Sequence, residues 1–421
     1  MAVIGYGFSH TALTENQIRE LCAEASEQIR PDGKRLLVIV PDSTRSCPMP
    51  VLFRILYALL APRVKALDFL IALGTHPPMS ETAICRHFGI SSEEKKSAFP
   101  KAQFFNHAWN DPSQLREIGT ISPSEMALLS EGRISQAVPI TINQKVLEYD
   151  RVILLGPTFP HEVVGFSGGN KYFFPGVAGK EIIDIFHWLG ALITNPVING
   201  VKDTPVRRVI DRASSFIQVE KYAMSLVVQG ESVYGFFFGS PEEAFSKAAD
   251  LSSQIHIIYK EKPFQKVLSC APAMYDELWT AGKCMYKLEP VVADGGELVI
   301  YAPHLNEISV THGDILKRIG YHVRDYFTSQ MERFKDVPLG VMAHSTHVKG
   351  IGTYENGIES PRIRVVLATG IPEAVCRQIN LDYMDPRTIR PEEWMDQEEK
   401  GILYVPKAGE MLYRLIKKQA I

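Results

Sequence analysis

Short apolar runs bounded by turn residues alternate along the chain with stretches of helical periodicity, the pattern of parallel strands joined by crossover helices. Lys34–Pro41 (KRLLVIVP) predicts a buried strand and Pro50–Leu60 the helix that follows it. Ala66–Leu73 predicts the next strand, ending at Gly74, Thr75 and His76, and Ser80–Phe88 the next helix, with Ser80 as its N-cap. Gln103–Trp109 and Tyr149–Leu155 repeat the strand pattern, the second running into Gly156, Pro157 and a glycine-rich segment. A further alternating series begins near Lys266–Cys270 and continues through Glu297–Ala302, Leu339–Ala343 and Arg364–Thr369, with helical periodicity over Leu278–Val292. The closing segment, Gly401–Ile421, predicts a short strand and then an amphipathic helix over Ala408–Lys418.

The fold class that follows is α/β: two α/β domains with an active-site cleft between them. Residues 1–262 form the N-terminal domain, residues 263–400 a smaller C-terminal domain, and residues 401–421 a strand and helix that pack back on the N-terminal domain. In open α/β sheets ligands bind beyond the carboxyl ends of the strands, which makes Asp42, His76, His107 and His161 candidates by position alone.

Composition narrows the partners. At 421 residues the chain exceeds one ordinary core, and its 45% hydrophobic and 22% charged content is that of a folded globular protein. A formal net charge of −3 gives no electrostatic reason for a nucleic-acid or membrane partner, so a small molecule is expected. The first residues lack a basic n-region and a long apolar h-region, and no window reaches the length of a spanning helix, which predicts a cytoplasmic protein. Six cysteines without a CxxC pair argue against a disulfide framework or a cysteine-built zinc site.

The most informative stretch runs His161-Glu-Val-Val-Gly-Phe-Ser-Gly-Gly-Asn-Lys171 and continues to His187. Gly168 and Gly169 permit close backbone approach to a ligand such as a phosphate, yet the segment matches neither the phosphate-loop nor the dinucleotide fingerprint. A lysine after Gly-Gly-Asn is a candidate covalent attachment point, and histidines ten residues before and sixteen after it are candidate metal ligands or general bases. Read without more, the same residues also fit a turn-rich connection with a solvated lysine.

The segment HEVVGFSGGNKYFFPGVAGKEIIDIFH resembles the signature of the lactate racemase family, in which a nickel-pincer nucleotide is joined to a lysine through a thioamide. The resemblance assigns Lys171 as the attachment lysine, His187 as the nickel ligand, and His161 with His107, in FFNHAWND, as the two catalytic acid/bases. PDSTR places Asp42 and Arg45 on the family's DxxR motif beside the cofactor, with Gly168 and Gly169 lining it. MYDELWTAGKCMY looks like the substrate-facing segment, with Trp279, Thr280 and Lys283 at its binding positions; Trp279 and Thr280 depart from the tyrosine and glutamine of the lactate-type pattern. The implied activity is a racemase or epimerase, an isomerase inverting C2 of a 2-hydroxy acid by reversible hydride transfer. A sugar acid is favoured over lactate, and cofactor-biosynthesis enzymes are implied as partners. The alternatives are an NAD-dependent 2-hydroxyacid dehydrogenase and a non-catalytic phosphate- or sugar-binding protein. His344, His347 and Lys349 form a further polar cluster, expected to follow a strand and to bind substrate hydroxyls or line a loop.

Overall fold

The computed structural model describes residues 2–416, which divide into two compact α/β units. The first runs to Phe159 and resumes over Phe166–Ile183 and Arg207–Ile255; the second holds Pro160–Gly165, Asp184–Val206 and the chain from His256 onward. This differs from a single break near residue 262. The two short excursions carry bonding groups that the C-terminal series satisfies: Lys287 Nζ donates to the Pro160 carbonyl, and Asn195 Nδ2 to Tyr286 O and Glu289 Oε2, both at 2.9 Å. Lys171 therefore belongs to the first unit, whereas His161 and His187 belong to the second.

The first unit is built on a seven-stranded sheet in the order Ile4–Gly7, Ser232–Gly239, Glu220–Gln229, Arg151–Pro157, Arg35–Val40, Ala66–Ile71, Phe104–Asn106. The last five are mutually parallel, Ser232–Gly239 is added antiparallel to them, and Ile4–Gly7 pairs antiparallel with Ser232–Gly239. Leu36 to Val40 are fully buried, as a parallel strand covered on both faces requires. Helices Glu15–Ile29 and Met49–Leu60 supply one cover: Ile18, Leu21 and Cys22 from the first and Leu52, Phe53 and Leu56 from the second enter a single core cluster. Helix Glu81–Phe88 starts where its cap predicts, with the Ser80 hydroxyl accepting from Ala83 N at 3.2 Å.

The second unit carries a five-stranded, all-parallel sheet in the order Asp382–Tyr383, Arg364–Thr369, Val292–Ala302, Phe264–Cys270, Ile402–Val405. Three expectations change here. Leu339–Ala343 is not a strand but the start of helix Leu339–Lys349, since a short apolar run does not distinguish a strand from a buried helix. Leu278–Val292 is no continuous helix. It breaks into Leu278–Ala281, Lys283–Tyr286 and the 3₁₀ turn Glu289–Val291, interrupted at Gly282 and at Lys287 and Leu288. The expected helix Ala408–Lys418 is replaced over its described part by strand Leu412–Leu415, which pairs in parallel with Ile257–Lys260 of the same unit; Lys417 and Lys418 lie outside the described residues. Ala408 N donates to Cys270 O at 2.9 Å, so the approach is tied to the sheet and backbone pairing prevails over the amphipathic pattern.

All six cysteines are buried and unpaired with one another. No helix among the described residues is long and apolar enough to cross a membrane.

Candidate active site

In the first unit the strand Arg35–Val40 is followed in the chain by its neighbour on one side, Ala66–Ile71, while its other neighbour, Arg151–Pro157, comes much later. This reversal is a topological switch point, and the crevice beyond the carboxyl ends of Arg35–Val40 and Arg151–Pro157 is where such sheets receive ligands. The sequence leaving Arg35–Val40 places Asp42 there. Its Oδ1 accepts from Thr44 N at 3.0 Å and Thr44 Oγ1 at 2.7 Å, a side-chain-closed turn, and its Oδ2 meets His76 Nδ1 at 2.5 Å. Burial alone opposes the carboxylate charge. The His76 ring and the bonds from His76 and Thr44 outweigh it and hold Asp42 well below the usual carboxylate range.

The glycine-rich segment lies after Arg151–Pro157, within the same unit. Gly168 and Gly169 take φ of 93° and 57°, values that favour glycine. A Cβ on Gly168 would stand 2.4 Å from Thr158 Oγ1, a buried hydroxyl with no hydrogen-bond partner among the described residues. The loop closes into a 3₁₀ turn, Gly169–Tyr172, that carries Lys171. Its underside is pinned by side chains. The Arg207 guanidinium donates to Gly168 O at 3.1 Å and to Phe166 O, while Asn170 Nδ2 reaches Asp211 at 2.9 Å and Glu242 at 2.6 Å. Ser214 Oγ donates to Asn170 Oδ1 at 2.8 Å. Burial lowers Arg207 to about 10, opposed by Asp211 and Glu242. Tyr172 is buried and uncharged, with Asp42 and Arg45 both within electrostatic reach of its ring, so the DxxR turn and the lysine loop share one neighbourhood.

His107 occupies a different setting. It is 2% exposed, its Nε2 lies 2.9 Å from Ala178 O and its Nδ1 3.2 Å from Asn143 Nδ2. A carbonyl on one nitrogen and an amide on the other fix a neutral ring with its proton on Nε2. Burial pushes His107 down to about 4, against the bond to Ala178. The residue that motif matching passed over is His76. Its position just after a strand, in a Gly-Thr-His turn, was the available signal; its partner Asp42 became visible only in three dimensions.

The second unit holds the remaining candidates. His161 sits in the Pro160–Gly165 excursion, where its Nδ1 accepts from Val163 N at 3.1 Å and lies 3.3 Å from Glu162 Oε2. His187 stands beside Phe186, ring centroids 4.1 Å apart, one turn after Asp184, whose Oδ1 accepts from Gly340 N at 3.0 Å. Lys283 Nζ lies 4.7 Å over the Tyr275 ring. Trp279 stacks on His344 at 3.9 Å and 11°, with His312 at 4.6 Å on the same ring system, and His344 Nε2 donates to Trp279 O at 2.9 Å. Thr280 is buried and its hydroxyl donates to Glu277 O at 3.0 Å. His344, His347 and Lys349 lie on a helix rather than after a strand, and Lys349 Nζ donates to Asn380 O at 2.7 Å.

The first unit is thus an α/β fold whose sheet, parallel over five strands, has a switch point followed in the chain by a carboxylate–imidazole pair on one side and a glycine-rich turn on the other, the place where such folds receive ligands. Residues 12–197 match the lactate racemase N-terminal domain. The chain is 25% identical over 275 residues to the lactate racemase of Thermoanaerobacterium thermosaccharolyticum, covering 64% of this chain and 60% of that protein. It is 22% identical over 322 residues to the lactate racemase of Lactiplantibacillus plantarum, covering 70% and 67%. The first match thus spans about 60% of that relative's length. Among solved structures, a Thermotoga maritima protein superposes with TM-score 0.89 at 34% identity over 98% of this chain and 100% of its own. The lactate racemase apoprotein of T. thermosaccharolyticum shares the fold at TM-score 0.72 and 18% identity, over 98% and 100%. Residues 12–197 thus carry the match to the lactate racemase N-terminal domain.

Proposed function

We propose that the protein is an isomerase, a racemase or epimerase inverting C2 of a 2-hydroxy acid with a nickel-pincer nucleotide tethered at Lys171. The observation that carries this reading is the pinned Gly168–Lys171 turn beside Asp42 and His76, in a chain whose residues 12–197 match the lactate racemase N-terminal domain. The first unit's residues fit the group. A positive-φ glycine lies against Thr158, whose buried hydroxyl has no partner among the described residues, and the Arg207 guanidinium takes up the Gly168 and Phe166 carbonyls. Asp42 and Arg45 flank it, and His187 offers an imidazole to nickel. When bound, that group supplies reversible acceptance of a hydride from C2.

The chain's own work is to move the hydroxyl proton. One imidazole accepts it and another returns a proton to the opposite face, the general acid–base work to which histidine side chains are suited. His161 fits one role and His76 the other. His76 is preferred to His107 because a carboxylate partner selects the Nδ1–H tautomer and leaves Nε2 basic, whereas both nitrogens of His107 are engaged by neighbouring groups. Lys283 fits the substrate carboxylate. The imidazoles around Trp279 support a polyhydroxylated sugar acid over lactate, while the Thr280 hydroxyl is already spent on its own turn. The setting this implies is the cytoplasm, where cofactor-biosynthesis enzymes load the chain.

Intact mass of protein made in cells that synthesise the cofactor, together with a screen of 2-hydroxy acids and aldonates for C2 inversion, tests the proposal. A Lys171 adduct and inversion are expected; active enzyme with an unmodified Lys171 overturns it.

A further inference from the structure

The 3₁₀ turn Gly169–Tyr172 presents three consecutive side chains, Asn170, Lys171 and Tyr172, and in such a turn successive side chains stand about 120° apart. Asn170 and Tyr172 are buried, and Lys171 is the partly exposed one. Asn170 is held by hydrogen bonds with Asp211, Glu242 and Ser214. Tyr172 is held by shape. A Cβ on Gly156 would overlap the Tyr172 phenol oxygen and stand 2.5 Å from Tyr172 Cζ and 3.1 Å from Pro41 Cδ, so the end of the ring fills a notch that only a glycine leaves open. Gly156 does not take a left-handed φ; the position needs glycine for room and not for backbone freedom. The notch lies at the carboxyl ends of both switch-point strands, since Gly156 belongs to Arg151–Pro157 and Pro41 directly follows Arg35–Val40. We infer that Tyr172 is a positioning residue: seated in the Gly156 notch, with Asn170 as the second anchor, it fixes the rotation of the turn and so sets the one direction left to the Lys171 side chain. That this direction serves cofactor attachment rests on the nickel-pincer reading, while the pin itself does not.

The turn does not hold its own orientation. Its backbone bonds are few and mostly long: Lys171 N to Gly168 O at 3.3 Å, Phe173 N and Phe174 N both to Asn170 O at 3.0 Å, and Gly176 N to Lys171 O at 3.2 Å. With Asn170 as its sole side-chain anchor, the turn can roll about that point. The Tyr172 hydroxyl donates to Pro157 O at 3.5 Å, longer than an effective O–H···O bond, so the bulk of the ring and not its hydroxyl carries the role.

Hydrogen exchange of the full chain, without cofactor, reads the pin directly. Tyr172→Leu leaves the notch partly empty and speeds exchange over residues 169–176 by roughly tenfold, the scale of a large-to-small change in a packed site, while strand Arg35–Val40 exchanges as before. Tyr172→Phe keeps the bulk and exchanges like the wild type. Gly156→Ala pushes the ring out and matches Tyr172→Leu; the double variant Gly156→Ala/Tyr172→Leu recovers towards the wild type, because the new methyl takes up space that the shorter side chain vacates. Equal exchange over residues 169–176 in Tyr172→Leu and the wild type overturns the inference. In cells that make the cofactor, intact mass reads the Lys171 adduct: Tyr172→Leu and Gly156→Ala load a smaller fraction of chains, Tyr172→Phe loads fully, and the double variant recovers. Normal loading of a faster-exchanging Tyr172→Leu also overturns it, since the pin then serves the fold alone. Wild type that never carries an adduct sinks the nickel-pincer reading instead and leaves the pin to be judged by exchange.

Discussion

Oδ2 of Asp42 and Nδ1 of His76 stand 2.5 Å apart, joining residues that follow two adjacent parallel strands. The pairing does for His76 what a triad carboxylate does for its histidine: it fixes the tautomer and stabilises the ring once protonated. Asp42→Asn removes the charge at nearly constant volume. The expected result is a loss of C2 inversion of roughly 10²–10⁴-fold, the contribution of a general acid–base group. Intact mass checks that the cofactor is still attached, and full activity with normal loading contradicts the role.

His107 is the counter-case. Replacing it with asparagine removes a buried ring that bridges Ala178 and Asn143, so stability is expected to fall by about 1–3 kcal/mol. The pH limbs of C2 inversion should stay where they are in the loaded variant. Denaturant unfolding and a pH–rate profile measure the two separately, and a lost limb with unchanged stability restores His107 as an acid/base.

The first unit was largely legible in the sequence because buried parallel strands read as unbroken apolar runs and their helices carry caps, Ser80 among them. Leu339–Ala343 was not, since five apolar residues fit either a buried strand or a buried helix. Ala408–Lys418 failed for another reason: pairing with Ile257–Lys260 depends on a segment about 150 residues away in the chain. The same distance effect hid the Asp42–His76 pair and sent His161 to the second unit while Lys171, ten residues on, stayed in the first. Motif spacing records order along the chain, not which unit receives each side chain.

Three buried imidazoles give the stability a direction with pH. Burial lowers His107 to about 4, His347 to about 4 and His344 to about 3, so the folded state refuses protons that the unfolded chain accepts below about 6.5. Their contribution is complete above that pH and is lost progressively as the pH falls towards 4. Each group accounts for a loss on the order of 2 kcal/mol. Urea midpoints at pH 7 and pH 5 read the slope, and His347→Asn should flatten it; an unchanged slope removes His347 from the account.

Gly168→Ala probes the cradle without touching any acid/base group. The new methyl meets Thr158 Oγ1 at 2.4 Å on a backbone held at φ 93°, so both contact and conformation oppose it, at about 1–3 kcal/mol. Gly132→Ala is the matched control, because φ there is 81° but nothing lies within 4 Å of the added atom. If the Gly168 turn exists to seat a ligand near Lys171, Gly168→Ala lowers the fraction of chains carrying the Lys171 adduct, read by intact mass, whereas Gly132→Ala lowers only the melting temperature. Lys171→Arg keeps the charge and should abolish the adduct altogether, since a guanidinium cannot form the same amide-type link. Equal loading of Gly168→Ala and Gly132→Ala, at matched stability, would mean that the glycine serves the fold and not the cofactor.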